Sequence, residues 1–529
     1  MKNRIFLALA ALVVIAVSSC KVDGLDKDPN RPTVVTPDLV FNGICNSIMI
    51  SPWDDEARWC QYNCCNYNYY GNQEYNWGGG SLRFTTLKNV QKMEEEAKRV
   101  GYAAVNPYSA VGKFMRAYMY YEMSMLVGDL PLDEALSSAT TLSPKYATQK
   151  EVFVQVLNWL DEANTEMGSL ISSGNTSIAG DIYFNGDLLA WQKANNAFTL
   201  RVLISLSKKE GDADLNVKSK FANVISNPAK FPLFEMNSDG LQYVYNNTFN
   251  KYPTNPDNFG FDATRYNMSA TTLNTLATLK DPRAMMFAEP AGNKIKSGLQ
   301  PTDYAAFVGA ESSLDLADMS TKAGVDNGSA YLPGEYSFYN RKRYYSTYTA
   351  ENTILVGYAE MCFNIAEAAN RGWISANAKT WYENGIKASQ EFYGISNGPV
   401  DVYFFKAGGK VTDGASYNKY TVNFDQNAYL AQPAVSYAGD NAQGLNQILV
   451  QKYLAFFQNS GWEGYFNYRR TDVPAFSKGG AGTGNSGLIP RRFQYPASES
   501  VNNKSNWQAA LDRQFGGKDD INADMWILK

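Results

Sequence analysis

Aromatic rings and side-chain amides are interleaved along residues 53–77 of the sequence. The aromatic residues are Trp53, Trp59, Tyr62, Tyr67, Tyr69, Tyr70, Tyr75 and Trp77, and the asparagines are Asn63, Asn66, Asn68, Asn72 and Asn76. A flat ring can cover the apolar C–H face of a sugar, while amides pair with the sugar hydroxyls. The pattern therefore predicts a glycan-binding loop in which Tyr69, Tyr70, Tyr75 and Trp77 are candidate ligand residues. The alternative is that the rings wedge this loop onto the rest of the fold.

A second group of aromatic and basic residues occupies positions 331–348. Its members are Tyr331, Tyr336, Phe338, Tyr339, Arg341, Arg343, Tyr344, Tyr345 and Tyr348. A guanidinium group can bind hydroxyls or carboxylates through two parallel hydrogen bonds. Tyr336, Tyr339, Arg341 and Arg343 are therefore further candidate ligand residues. The alternation in this run also fits a half-buried strand or hairpin, which is the alternative interpretation.

The residues needed for most hydrolytic mechanisms are missing from the sequence. The chain contains no histidine, which excludes Ser-His-Asp and Cys-His catalytic groups and the His-Glu-x-x-His metal motif. It also lacks a Gly-x-x-x-x-Gly-Lys phosphate loop. A glycosidase needs only two carboxylates, and the 52 acidic residues leave such a pair open, although no spacing singles one out. We therefore predict no catalytic residue and a binding protein rather than an enzyme.

Three cysteines lie close together at Cys60, Cys64 and Cys65. They could ligate zinc, but the second Cys-x-x-Cys or the His pair that completes most such sites is missing. Buried thiols or a single disulfide are the favoured interpretations. We predict no metal site and no cofactor, and the sequence does not decide whether calcium is bound.

The first twenty residues are organised as a bacterial lipoprotein signal. Lys2 and Arg4 precede an apolar run that ends at Val17 and is too short to span a bilayer. The following Ser-Ser-Cys completes a match to a lipobox, which implies that residues 1–19 are removed and that Cys20 is acylated. Residues 20–36 would then form the lipid anchor and tether. An ordinary signal peptide with a chance cysteine is the alternative.

The charge of the chain argues against nucleic acid as a partner. Its formal net charge is -4 at pH 7, and it has no block of basic residues. Beyond the signal, no stretch approaches the roughly 20 apolar residues of a spanning helix. We therefore expect the protein to be attached to a membrane through its lipid without crossing it.

Several segments have the apolar spacing of amphipathic helices. Asn106 followed by proline is an N-cap signal, Gly128 ends the same helix, and Asp187 caps another. The predicted helices cover about 106–128, 149–167, 187–202, 354–369, 375–393 and 442–458. Each has one apolar stripe and needs a neighbour, and several fall into consecutive pairs, as in tetratricopeptide hairpins.

Long tracts rich in Gly, Asn, Tyr and Pro separate these helices, at about 51–80, 226–350 and 395–440. Long loops in a compact protein tend to be functional or disordered, and the aromatic content argues against disorder. We predict a mainly α fold in which a tetratricopeptide-like helical-hairpin scaffold carries a loop-rich ligand-binding lobe, with residues 37–529 forming a single domain.

Short motifs along the whole chain carry a family resemblance. They are the lipobox, Asp28-Pro29-Asn30, Tyr120-Tyr121-Glu122, Gly128-Asp129-Leu130-Pro131, Gly186-Asp187 with Trp191, Ala194-Asn195, Leu200-Arg201, Asp281-Pro282-Arg283, Tyr358-Ala359-Glu360, Ala366-Glu367-Ala368-Ala369, Gly372-Trp373, Gln451-Lys452-Tyr453, Gly461-Trp462-Glu463, Arg469-Arg470-Thr471, Ile489-Pro490-Arg491-Arg492, Tyr495-Pro496 and Asn502. In this order they resemble the SusD/RagB-like nutrient-binding lipoproteins of Bacteroidetes. Leu132 and the cysteine cluster depart from the pattern.

The resemblance implies a role as well as a fold. It implies a lipid-anchored protein of the outer membrane, facing the cell surface, that captures a glycan for a partner SusC-like TonB-dependent transporter. It does not imply catalysis. An oligopeptide is the main alternative ligand, and a surface glycoside hydrolase using two carboxylates is a weaker one.

Overall fold

The structure, a computed structural model, describes residues 35–137, 141–324 and 334–529. The predicted lipid attachment at Cys20 and the first aromatic residue of the second cluster, Tyr331, lie outside the described residues. Within the described ranges, the helices are too short or too polar to cross a bilayer.

Helices dominate the chain, and the strands between them are short. The helices are α1 (Pro37–Ser47), α2 (Asp55–Trp59), α3 (Phe84–Arg99), α4 (Pro107–Val127), α5 (Gln149–Ser172), α6 (Leu188–Ser205), α7 (Val217–Ser226), α8 (Phe259–Asp262), α9 (Ala270–Thr278), α10 (Arg283–Phe287), α11 (Gly292–Lys296), α12 (Leu316–Ala323), α13 (Arg341–Tyr344), α14 (Tyr358–Asn370), α15 (Ala378–Phe392), α16 (Gln426–Ala431), α17 (Ala442–Ala455), α18 (Glu463–Thr471), α19 (Ala497–Asn502) and α20 (Lys504–Phe515). The strands are β1 (Asn63–Cys65), β2 (Leu130–Pro131), β3 (Tyr146–Ala147), β4 (Leu241–Tyr243), β5 (Tyr266–Met268), β6 (Thr353–Val356), β7 (Gly398–Phe405) and β8 (Tyr417–Phe424).

The long helices begin at the capping residues that the sequence predicted. The side chain of Asn106 accepts hydrogen bonds from the backbone N–H groups of Tyr108 and Ser109, at 2.9 and 3.1 Å, at the start of α4. Asp187 accepts from two N–H groups in the same way at the start of α6. These side chains satisfy donors that a helix start otherwise leaves without partners. The α4 helix ends at Gly128, whose φ of +99° suits glycine.

Helices that follow one another in the chain pack together, which confirms the mainly α fold with helical hairpins. α4 packs on α5, α5 on α6, and α14 on α15. α4 is buried on nearly every side and forms the centre of the scaffold. Burial of an apolar stripe on each neighbour supplies most of the stability of such helices.

One predicted helix begins later than the sequence indicated. Residues Thr353–Val356 form the strand β6, and α14 begins at Tyr358 after the extended Gly357. β6 pairs antiparallel with β4, so its backbone groups are satisfied by a partner more than a hundred residues away. Ile354 and Leu355 fit either period, and the distant partner decides in favour of the strand.

Buried ion pairs made by the motif residues connect the scaffold helices. Arg201 on α6 donates to both carboxylate oxygens of Glu360 on α14, at 2.6 and 2.5 Å. Arg470 on α18 donates to both oxygens of Glu367 on α14, at 2.5 and 2.9 Å. Glu463 of α18 also contacts this network, with its carboxylate 3.6 Å from Arg201.

The Glu367 carboxylate predicts an acid-dependent loss of stability. Burial alone would raise its pKa, but the charge and hydrogen bonds of Arg470 outweigh burial and lower the pKa to about 2. Because the folded-state pKa is lowered, the contribution is complete above the ordinary value of 4.5 and is lost as the pH falls towards 2.

We therefore expect the free-energy gap between wild type and Glu367→Gln to shrink by on the order of 3 kcal/mol as the pH falls from about 5 to about 2. Urea unfolding at several pH values measures this gap. A gap that stays constant with pH would contradict the assignment.

Candidate ligand-binding surface

A small sheet brings the two aromatic segments of the sequence together. β1 and β5 pair antiparallel, with Asn63 opposite Met268 and Cys65 opposite Tyr266. On the other side of β5, Asn267 forms a bridge with Phe338 of the second segment. Residues 53–77 and 334–348 are therefore neighbours in space although they are far apart in the chain.

The most exposed rings of the first segment lie on a short turn that directly follows β1. We call residues 67–70 the tyrosine turn; its residues 68–70 form one turn of 3₁₀ helix. Tyr69 is 84% exposed and Tyr67 48%, whereas Tyr70 is half-buried. The rings of Tyr69 and Tyr70 meet edge to face with centroids 5.2 Å apart. Such rings present flat apolar faces to solvent next to the exposed amide of Asn68.

Buried groups hold the tyrosine turn in place from beneath. Arg58 Nη1 donates to the carbonyl oxygen of Tyr70 at 3.2 Å, and the Cys65 thiol donates to the same oxygen at 3.2 Å. Gly71 ends the turn with φ +113°, and a Cβ at this position would lie 2.8 Å from Arg58 Nη1. The turn is therefore positioned before any ligand arrives, which lowers the entropy cost of binding.

Trp53 connects the tyrosine turn to the second segment. Its ring lies 5.6 Å from Tyr266, which in turn lies 5.8 Å from Tyr70. On its other side the Trp53 ring contacts Tyr339 at 4.4 Å and Tyr344 at 5.4 Å. This buried aromatic network forms the support of the exposed rings.

Tyr75 and Trp77, two of the predicted ligand residues, lie in the interior. Tyr75 is buried, and its hydroxyl donates to the carbonyl oxygen of Trp59 at 2.9 Å. The Trp77 ring is 5% exposed and stacks on Phe493 with centroids 4.1 Å apart. A ligand cannot reach an enclosed ring, so both side chains pack this loop onto the scaffold.

Tyr339 and Arg343 also form hydrogen bonds with other residues of the protein. The Tyr339 hydroxyl donates to the carbonyl oxygen of Tyr62 at 3.1 Å. Arg343 Nε donates to Glu351 at 2.6 Å. Burial lowers the pKa of the guanidinium, but the negative charge of Glu351 outweighs burial and raises the pKa overall. Tyr339 is enclosed, which corrects its assignment as a ligand residue, whereas Arg343 is half-buried and held by Glu351.

A groove of about 560 Å³ lies between the second segment and the β7–β8 hairpin. Its lining includes Glu289, Lys296, Tyr336, Phe338, Arg341, Phe404, Phe405, Lys406, Asn418 and Tyr420. We call this the aromatic groove. Burial raises the pKa of its Tyr336 to about 12, so the hydroxyl stays neutral and can both donate and accept hydrogen bonds.

Arg341 lines the groove but is committed to a neighbour. Its Nη1 donates to Glu289 Oε2 at 2.7 Å, and its Cζ lies 5.0 Å from the Phe338 ring and 5.6 Å from the Phe405 ring. The guanidinium therefore contributes a fixed planar wall.

Several surface residues were not singled out from the sequence. Arg265 stacks on the Tyr67 ring, with Cζ 4.5 Å from its centroid, and a single cation in a loop gives no sequence signal.

The β7–β8 hairpin lies in a tract that the sequence predicted as loop. There the signal was the alternation of buried Val400, Val402 and Phe404 along β7, which is typical of a strand.

The cysteines of the described ranges are buried free thiols: Cys45, Cys60, Cys64, Cys65 and Cys362. Burial raises the pKa of Cys64 to about 12, so this thiol stays protonated and unreactive. In the same ranges, side chains do not gather into a group of three or more metal-ligating residues.

Comparisons with known proteins agree with the fold. A family model described as starch-binding and associating with the outer membrane matches residues 29–496. A SusD homologue from Bacteroides fragilis is 31% identical, with 94% of this chain and 100% of that chain covered and a TM-score of 0.79. A candidate outer-membrane protein for nutrient binding from Bacteroides vulgatus is 30% identical, with 94% and 100% covered and a TM-score of 0.76.

A more distant structure shares the fold. It is a chitin-binding SusD homologue from Flavobacterium johnsoniae, 19% identical, with 93% of this chain and 98% of that chain covered and a TM-score of 0.67. Among curated proteins, none matches the chain significantly.

Proposed function

The chain belongs to the SusD-like family, and from this premise we propose that it is a carbohydrate-binding protein of the outer membrane. The observation that carries the proposal is the tyrosine turn, where Tyr67 and Tyr69 expose their rings on a support of buried groups. The descriptions of similar proteins support a carbohydrate ligand: the family is described as starch-binding, and a distant homologue as chitin-binding.

The proposed contact is a stack of sugar rings on the tyrosine turn. A pyranose ring covers the exposed face of Tyr69, Asn68 pairs with its hydroxyls, and Arg265 fixes the orientation of the Tyr67 ring. The aromatic groove is connected to the turn through the β1–β5 sheet. It gives room for further sugar units of the same glycan.

The proposed role is capture for transport, without turnover of the glycan. Acylation of Cys20 would hold the protein at the outer membrane, and a SusC-like TonB-dependent transporter would receive the ligand. The resemblance of the motifs supports both parts. Co-extraction of the protein with such a transporter tests the partner, and assay of reducing ends released from a bound polysaccharide tests the absence of turnover.

We expect the Tyr67→Ala/Tyr69→Ala double variant to bind glycan at least roughly tenfold more weakly than wild type, because each lost stack costs on the order of 1 kcal/mol. Isothermal titration with starch and chitin oligosaccharides measures this on the soluble form that begins at Lys21. Thermal unfolding should stay unchanged, since the exposed rings add little to the core.

Tyr102→Ala is the matched control for this experiment. Tyr102 is 44% exposed and contacts one other tyrosine, Tyr108, but lies in the loop before α4. Undiminished glycan binding by the double variant, or equal loss in Tyr102→Ala, would sink the proposed site. Binding of peptides and of none of the glycans would replace the ligand class with oligopeptides.

A further inference from the structure

A second cavity lies inside the helical scaffold, separate from the tyrosine turn and the aromatic groove. It has a volume of about 400 Å³ and is bounded by residues 49–56, the inner faces of α4 and α6, strand β6 and the start of α18. Asp54 is exposed at its rim. The volume falls in the range of about 300–1,000 Å³ that is usual for small-molecule sites.

The charged lining of this cavity contains more carboxylates than cations. The carboxylates belong to Asp54, Glu56, Glu122 and Glu463, and the cations to Arg83 and Arg201. Both cations already have close partners. Arg83 Nε lies 3.0 Å from Glu122, and Arg201 is held through two hydrogen bonds by Glu360, which lies behind the cavity wall.

Glu463 is a buried carboxylate of this lining with one oxygen that lacks a hydrogen-bond donor. It is 5% exposed; its Oε1 accepts from the Tyr121 hydroxyl at 3.2 Å, whereas its Oε2 accepts no hydrogen bond from any described residue. Glu463 lines the cavity, and a buried carboxylate oxygen without a donor is costly, so this side chain indicates a missing partner.

The pKa shifts of Glu56 and Glu463 agree with a missing positively charged partner. Burial raises the pKa of Glu56 to about 7, and burial also raises the pKa of Glu463 against the opposing charge of Arg201. Nearby Glu360 raises the pKa of Glu463 further, while Lys452 opposes the rise. A positive charge placed in the cavity would therefore stabilise the ionised forms of Glu56 and Glu463.

We propose that this cavity binds a small organic ligand that carries a protonated amine. An ammonium group supplies three hydrogen-bond donors and one positive charge, which are what Glu463 and Glu56 lack. Ser51, Ser81 and Ser460 line the same space and can pair with ligand hydroxyls, and Trp462 supplies an apolar wall.

Titration calorimetry at neutral pH with glucosamine and with putrescine tests the proposal, with uncharged glucose as the counterpart of glucosamine. We expect at least one of the two amines to bind wild type at one site, and glucose to bind at least roughly tenfold more weakly than glucosamine where glucosamine binds. Failure of both amines to bind, or equal binding of glucose and glucosamine, would overturn the proposal.

Glu463→Gln keeps the shape of the side chain and removes its charge. We expect it to weaken amine binding roughly tenfold or more. Arg201 lies 3.6 Å from Glu463 but keeps both hydrogen bonds to Glu360, so we expect the variant to fold. The matched control is Glu95→Gln, an exposed glutamate on α3, which should bind as wild type does. If Glu463→Gln does not fold, Glu56→Gln at the same cavity replaces it.

Amine binding that is unaffected in the folded cavity variants would refute the site. The inference does not depend on the proposed glycan capture. Tyr67→Ala/Tyr69→Ala should leave amine binding unchanged, and Glu463→Gln should leave polysaccharide binding unchanged. Each proposal can therefore fail without the other.

Discussion

Replacing Trp77 with alanine should lower the free energy of unfolding by about 3–5 kcal/mol, the usual cost of deleting a buried aromatic side chain. The Trp77 ring stacks on Phe493 and meets the Tyr465 ring edge-on at 4.9 Å. Removing it opens a cavity between the loop and α18 that the surrounding rings cannot fill. Urea or thermal unfolding measures the loss.

Tyr69→Ala is the control for this result, because it removes a ring from the same loop that contributes little to the core. We expect its unfolding free energy to change by no more than about 0.5 kcal/mol. Where Trp77→Ala remains folded, at low temperature, it should keep most of its glycan affinity. A stable Trp77→Ala variant that has lost glycan binding would mean that the ring is a ligand contact after all.

Asp281→Ala should destabilise the protein by a similar amount, about 3–5 kcal/mol, because it leaves a buried cation without its partner. Arg283 is fully buried and donates to both oxygens of Asp281, at 3.0 and 2.8 Å. It also donates to Ser389 on α15 and to Gln451 on α17, at 2.8 and 2.6 Å. The guanidinium thus joins the turn before α10 to two scaffold helices.

A double variant separates the cost of an unpaired charge from the value of the pair. Asp281→Ala/Arg283→Met removes both charges, and we expect it to be more stable than Asp281→Ala alone, since buried ion pairs are often replaceable by apolar residues. Urea unfolding of the two variants and wild type gives the comparison. If the double variant is the less stable one, the arginine stabilises the fold through contacts other than this pair.

Local signals made the long helices predictable. The caps at Asn106 and Asp187 act on the first turn of their own helices, so the sequence near each start was sufficient. Strand β6 was not predictable in this way. Its apolar run fits two periods, and the choice depends on β4, which is distant in the chain.

The candidate site was predictable as a pair of segments but not as a set of side chains. Composition located both aromatic clusters, and the structure places them next to each other. Which rings face solvent is decided by partners far along the chain: β1 pairs with β5, about 200 residues further on, and Trp77 stacks on Phe493. Tyr69 therefore lies outside and Trp77 inside, although both have the same sequence environment of aromatic and amide residues.

The motif residues behind the family resemblance proved to be structural. Arg201, Glu360, Glu367 and Arg470 pair with each other beneath the surface. These charges fix how the scaffold helices meet, which explains why such motifs identify the fold without identifying the ligand.

The tyrosine turn is anchored through its backbone and through Gly71, while the side chains at 67–69 project from it. With sugars stacked on this turn as proposed, exchanging these three side chains would change ligand preference without repacking of the interior. A library randomised at these positions would be a source of binders with new sugar selectivities.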